Sequence, residues 1–147
     1  MARTGYHGRY LRIDLSCGGA EAVPLSADTL RRYLGGVGLG VHIMLRERAA
    51  EIDPLTPAAP IAFVLSPLVG SPLTTSAKFA VVSRSPLTDR INDALSSSGF
   101  ALAAKRTGYD ALVLVGKADR PSVLIVDNGR IRIEPAGDLW GMTTGQT

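Results

Sequence analysis

The sequence predicts an α+β fold with mixed or antiparallel β-sheets and short helices, and three observations carry that prediction. Near each end of the chain, two half-polar segments flank a tight turn: 10–15 with 20–25, and 122–126 with 130–134. Three further runs are almost wholly apolar, Ile61-Ala62-Phe63-Val64-Leu65, Phe79-Ala80-Val81-Val82-Ser83 and Ala111-Leu112-Val113-Leu114-Val115. Runs of that length read as strands, the first and last buried on both faces. Sixteen Gly and nine Pro punctuate the chain too often for a helical bundle.

The elements follow in order. Tyr10-Leu11-Arg12-Ile13-Asp14-Leu15 alternates apolar and polar, Ser16-Cys17-Gly18-Gly19 turns, and 20–25 returns. Ser26-Ala27-Asp28 caps a short helix from about 29 to 34. Gly35-Gly36-Val37-Gly38-Leu39-Gly40 interrupts the helical pattern, which resumes from about 41 to 50. Asp53-Pro54-Leu55-Thr56-Pro57 is a stiff loop, and 66–74 is a long turn region. Ser85-Pro86-Leu87 closes the second apolar run. The small-residue run Ser96-Ser97-Ser98-Gly99 is expected to open a helix that ends at Lys105-Arg106-Thr107-Gly108. Asp127-Asn128-Gly129 turns the last hairpin. A hairpin followed by a helix start occurs near both ends, an echo that predicts a pseudo-twofold repeat within one sheet. Leu139-Trp140-Gly141-Met142-Thr143-Thr144 reads as the entry to a further helix, which predicts a longer chain cut near 140–147. A piece cut there is expected to self-associate through the apolar surface it bares.

Composition narrows the chemistry. The chain of 147 residues is 46% hydrophobic and 20% charged, enough for one domain, 1–147, with its own core. Thirteen Arg and three Lys are scattered among acids rather than clustered with aromatics, which argues against a nucleic-acid surface. No apolar run is long enough to span a bilayer, and Met1-Ala2-Arg3-Thr4-Gly5 has no signal-peptide core, so the expected location is the cytoplasm. The single Cys17 excludes an internal disulfide or an iron–sulfur cluster built from these residues.

Few side chains offer catalysis. Gly36, Gly38 and Gly40 have the spacing of a dinucleotide loop, but that loop follows a strand and here a helix precedes it; a helix–helix junction is the better reading, with backbone contact to a cofactor left open. His7 and His42 lack partners at metal spacing. Ser66, Ser71, Ser76 and Ser83 sit in no nucleophile elbow. Asp89 and Asp93 read as solvated turn carboxylates. Lys78, at a strand entry after small hydroxyl residues, either snorkels outward or pairs with a phosphate. A helix start at Ser96, Ser97, Ser98 and Gly99 would offer free amides to the same anion.

The chain resembles the N-terminal domain of the aldehyde:ferredoxin oxidoreductase family, the tungsten-pterin enzymes. Seven segments carry the resemblance in register: 8–16, 33–39, 53–55, 66–70, 81–88, 108–112 and 139–141. It implies an α+β base for a tungsten or molybdenum bis-pterin whose phosphates are bridged by magnesium. It also implies a [4Fe–4S] cluster ligated elsewhere, a small aldehyde oxidised to a carboxylic acid, ferredoxin as electron acceptor, and a homo-oligomer of a larger enzyme. The resemblance places cofactor contacts at Lys78, Leu95, Ser96, Ser97, Ser98 and Gly99. Lys78 stands where the family usually has Arg, Leu95 where it has Asn, and Ser97 where it has Gly. Those departures motivate an alternative, a non-catalytic scaffold that keeps the fold without the cofactor.

Overall fold

The computed structural model describes residues 5–127 and 129–147; Met1 to Thr4 of the polar N-terminus and Asn128 of the expected hairpin turn lie outside them. Strand β1 (Arg9–Asp14) pairs antiparallel with β2 (Gly19–Pro24), as the alternating pattern predicts. The Ser26 hydroxyl accepts the Thr29 amide at 3.0 Å and starts α1 (Ala27–Tyr33).

The glycine run does not interrupt the helices for long. Helix α2 (Gly36–Arg46) begins inside it, so Gly36, Gly38 and Gly40 are helical, and the second helix starts five residues earlier than its expected start at about 41. Packing explains why glycine is tolerated there despite its poor propensity. A Cβ on Gly40 would lie 2.5 Å from Val82 Cγ2, so only a bare backbone lets α2 rest this close to the sheet. The helix also stops early, at Arg46; Arg48 adopts φ +54° and a 3₁₀ turn, Ala49–Glu51, follows.

The three apolar runs are β3 (Ile61–Leu65), β4 (Lys78–Arg84) and β6 (Ala111–Val115). The segment Ile91–Ser97, expected as turn and helix start, is instead strand β5. Every residue of β5 is exposed, and this explains the misreading: an edge strand uncovered on both faces needs no apolar alternation. Helix α3 (Gly99–Arg106) therefore begins three residues later than expected. The last hairpin is β7 (Ser122–Asp127) with β8 (Arg130–Pro135), and the helix expected near 138–144 is a single 3₁₀ turn, Gly137–Leu139.

The fold is α+β. Six strands form a mixed sheet in the order β2-β1-β6-β3-β4-β5, in which only β1 and β6 run parallel. Strands β7 and β8 form a separate two-stranded sheet, so the two echoing hairpins are not halves of one sheet. One face of the large sheet packs Ala62, Val64, Ala80, Val82 and Val113 against Leu39, Ile43 and Met44 of α2. The other packs Leu11, Ile13, Leu65, Phe79 and Leu112 against Ala101 and Ala104 of α3, with Leu124 and Ile131 of the small hairpin alongside.

Two polar clusters brace these layers. The Asp110 carboxylate, buried before β6, accepts the His7 and Gly8 amides and pairs with Lys105 Nζ at 2.8 Å, tying the start of the chain to the end of α3. Arg84 Nη1 donates to the carbonyls of Ala49, Ala50 and Ile52, fixing the 3₁₀ turn to the end of β4.

Candidate functional site

The antiparallel ladder between β4 and β5 sets the site. Ser98 N donates to Ala77 O and Ser85 N to Arg90 O, so the hydrogen-bonded pairs are those containing the odd residues of β4. The main-chain groups of Asn92, Ala94 and Ser96 therefore turn inward to β4. Those of Ile91, Asp93, Leu95 and Ser97 turn outward to the open edge. Side chains alternate independently. Lys78, Leu95 and Ser97 share the face on which Ala80 and Val82 meet α2, while Ser96 lies opposite Phe79 on the α3 face.

On that α2 face lies a groove of about 340 Å³. Lys78, Ala80 and Leu95 form its floor and one wall; Leu34, Gly35 and Gly36 at the start of α2, with Pro67 and Leu68, form the other. The wall is held close by glycine: a Cβ on Gly35 would meet Pro67 Cδ at 2.8 Å and Leu65 O at 2.9 Å. The far end of α2 is fixed by Glu47, which accepts from Tyr10 Oη at 3.2 Å and Arg12 Nε at 3.0 Å. Burial, and then the adjacent Glu47 charge, push the Tyr10 phenol up to about 12, so this anchor stays a neutral donor through the working pH range. Most of the lining is apolar. The Lys78 ammonium supplies positive charge and donates to Ser97 Oγ at 3.0 Å.

This arrangement sorts the six residues singled out in the sequence. Lys78, Leu95 and Ser97 come together at one end of the groove and the open edge. Ser96 is carried to the other face. Ser98 caps α3 through its hydroxyl, which accepts from Phe100 N at 3.2 Å, and nothing lies within 4 Å of the Gly99 Cβ position. The expected supply of free amides at a serine-lined helix start is corrected. Ser98 N is bonded to Ala77 O, Phe100 N to Ser98 Oγ and Ala101 N to Ser98 O. These three amides are taken, and the outward edge of β5 offers further main-chain donors.

Of the other candidates, Gly36 and Ser66 line this groove, whereas His7, His42 and Asp89 are engaged elsewhere. His7 Nε2 lies 3.0 Å from Lys105 O, and His42 stacks on Tyr33 with ring centroids 4.5 Å apart. Asp89 pairs with Arg84. Among the described residues, no group of three or more His, Cys, Asp or Glu could hold a metal ion, and no helix is long and apolar enough to cross a membrane. Sequence reasoning missed Leu34, Gly35, Pro67 and Leu68 as groove residues; the only signal was their place in two of the seven quoted segments.

Comparison with known proteins gives a consistent set of relatives. The sequence profile of the aldehyde ferredoxin oxidoreductase N-terminal domain matches residues 10–147. The tungsten-containing aldehyde ferredoxin oxidoreductase of Pyrococcus furiosus is 33% identical over 143 residues, which is 97% of this chain and 24% of that protein. An aliphatic sulfonate oxidoreductase, WOR-like subunit, of the same organism is 34% identical over 93% of this chain and 22% of its own length. Among solved structures, the active site complex BamBC of benzoyl coenzyme A reductase, determined with 1,5 dienoyl-CoA, superposes with a TM-score of 0.87. Its identity is 28%, over 94% of this chain and 21% of that one. The chain thus spans about a quarter of the length of the curated relatives it matches.

Proposed function

The chain belongs to the aldehyde ferredoxin oxidoreductase family, and we propose that it serves as the base on which a larger oxidoreductase seats a tungsten or molybdenum bis-pterin. The observation that carries this reading is the pairing of Lys78 with the outward main-chain groups of Leu95 and Ser97 beside a mostly apolar groove. A phosphorylated flat ring system asks for those features: apolar walls for the rings, and a cation and N–H donors for the phosphate.

The residues present fit that group. Lys78 would meet a phosphate as a point charge, without the two-pronged geometry of an arginine. Leu95 has no polar side chain, but its carbonyl faces the open edge, and a carbonyl oxygen suits a hard cation such as magnesium. Asn is thus not required there if the contact runs through the main chain. Ser98 and Gly99 would shape the exit from the groove, and Ser96 would support the strand from behind. When bound, the group would supply the metal centre at which oxygen and electrons are exchanged with substrate. The chain's part is to hold the phosphates and orient the rings.

The single cysteine, Cys17, leaves cluster ligation and the reacting carboxylates to other parts of a longer protein. Those parts, with ferredoxin as electron acceptor and a cytoplasmic homo-oligomer as the setting, complete the proposal. Relatives named for aldehydes, sulfonates and an aromatic coenzyme A thioester share this domain. Holding the cofactor is therefore the role we assign to it, with substrate choice made elsewhere and a small aldehyde as the first substrate to try. The test is metal and pterin analysis of the full-length protein after expression with tungstate and molybdate. One metal with two pterins per chain is expected; absence of both would leave the scaffold reading in its place.

A further inference from the structure

The contact between Lys78 and Ser97 has a structural origin. The flanking pairs Ala77–Ser98 and Phe79–Ser96 are the hydrogen-bonded ones, so Lys78 and Ser97 form a non-hydrogen-bonded pair. Pairs of that kind bring side chains closest together on one face of a sheet. Here the closeness lets a short serine hydroxyl accept from the end of a long lysine, at 3.0 Å. Both residues are exposed, and an exposed lysine free of such a contact samples many rotamers. The hydroxyl holds the ammonium over the outer end of the groove before any ligand arrives.

We propose that the Ser97 side chain is a positioning residue, acting on a bound phosphate only through the Lys78 ammonium. This rests on the cofactor-base reading above and refines it. In that reading Ser97 offers its main chain to the ligand; its hydroxyl is committed to the lysine. Ser97 thereby makes up part of what lysine lacks beside arginine. Arginine brings a planar, preoriented fork, whereas lysine gains its orientation here from a neighbour across the ladder.

The experiment is a double-mutant cycle in the full-length protein, read as the rate at which metal is lost from the purified holoprotein, by elemental analysis over time. The variants are Ser97→Ala, Ser97→Thr, Lys78→Gln and the double variant Lys78→Gln with Ser97→Ala. Loss of one charge-assisted hydrogen bond is expected to speed release about fivefold in Ser97→Ala. Ser97→Thr, which keeps a hydroxyl, should stay near wild type. In the Lys78→Gln background, Ser97→Ala should add nothing. Should Lys78→Gln load too little metal to time, titration of inorganic pyrophosphate into the metal-free proteins, followed by ³¹P line width, reads the same cycle. Equal effects of Ser97→Ala with and without Lys78 would overturn the proposal, because the hydroxyl would then act on its own. No effect of Ser97→Ala alongside a large effect of Lys78→Gln would overturn it while leaving the cofactor reading intact. No effect of either would overturn the proposal together with the phosphate contact assigned to Lys78.

Discussion

Replacing Gly40 with alanine gives a sharp test of how α2 is held against the sheet. In an ordinary helix interior that change stabilises by about 1 kcal/mol, because alanine is the better helix former. Here the added Cβ would stand 2.5 Å from Val82 Cγ2, 3.0 Å from Val82 Cβ and 3.4 Å from Val64 Cγ2. Carbon atoms prefer about 3.5–4.0 Å, so relief requires a movement of roughly 1 Å or more. Val82 cannot swing clear. It is buried in a strand, its χ1 is stiff, and its Cβ is crowded as well as its methyl. Movement therefore falls on α2, and it opens the contacts of Leu39, Ile43 and Met44. Overpacking of this kind costs about 1–3 kcal/mol and outweighs the gain in propensity. Gly40→Ala should therefore lose up to about 2 kcal/mol in urea unfolding followed by circular dichroism. Val82→Ala alone should lose about 2 kcal/mol through its cavity. The two together should cost clearly less than their sum, since the new Cβ at position 40 occupies space that the lost methyls of Val82 vacate. A Gly40→Ala protein as stable as the wild type or more so would refute the reasoning.

Other outcomes follow from the same structure. Asp110→Ala leaves Lys105 and two amides without their acceptor and should cost about 3–5 kcal/mol; Asp110→Asn, which keeps one acceptor oxygen, should cost less, both read by denaturant midpoint. Arg84→Lys keeps the charge but loses the planar guanidinium that reaches three carbonyls through Nη1 and Asp89 through Nη2, and should lower stability by about 1–2 kcal/mol. Leu95→Pro removes an outward N–H without touching the β4 ladder, so metal loading of the full-length protein should fall while secondary structure persists. Ser96→Pro breaks a ladder bond and should unfold the edge instead. Burial, and secondarily the Arg46 charge, lower the His42 pKa below its ordinary 6.5. The unfolded chain then takes up a proton first, so His42 costs the fold nothing above that value and progressively destabilises it as pH falls below it. The melting-temperature difference between His42→Phe and wild type should shift in favour of the variant between pH 7.5 and pH 5.

Much of the fold was legible because burial leaves a pattern. The runs at 61–65 and 111–115 are covered on both faces, and each was readable as a strand from composition alone. Ser26 was readable as a cap because its geometry is local. Strand β5 was not readable. Apart from Ile91 and Leu95 its residues are polar or small, all are exposed, and what makes them a strand is the ladder to β4, a contact the local sequence does not encode. The same cause turned Ser96 and Ser97 from an expected helix start into a strand edge. The glycines of α2 misled in the opposite way: they look like a break, but Gly40 is required by a neighbour in the sheet more than forty residues away, Val82. Lys78 was singled out as a cation at a strand entry, whereas its contact with Ser97 depends on register and emerged only from the pairing.

Strand β6 sits between β1 and β3 and, among the described residues, is the only strand whose ladders join the β2–β1 hairpin to the β3–β4–β5 meander. During synthesis the earlier strands leave the ribosome first, but the two groups have no shared ladder until residues 111–115 emerge. Until then β1 and β3 each expose a raw edge, and the nascent chain depends on chaperones or speed to avoid pairing with its neighbours. A pause that stalls synthesis while residues 111–115 are still inside the ribosome should therefore reduce the yield of soluble protein more than the same pause placed after they have emerged.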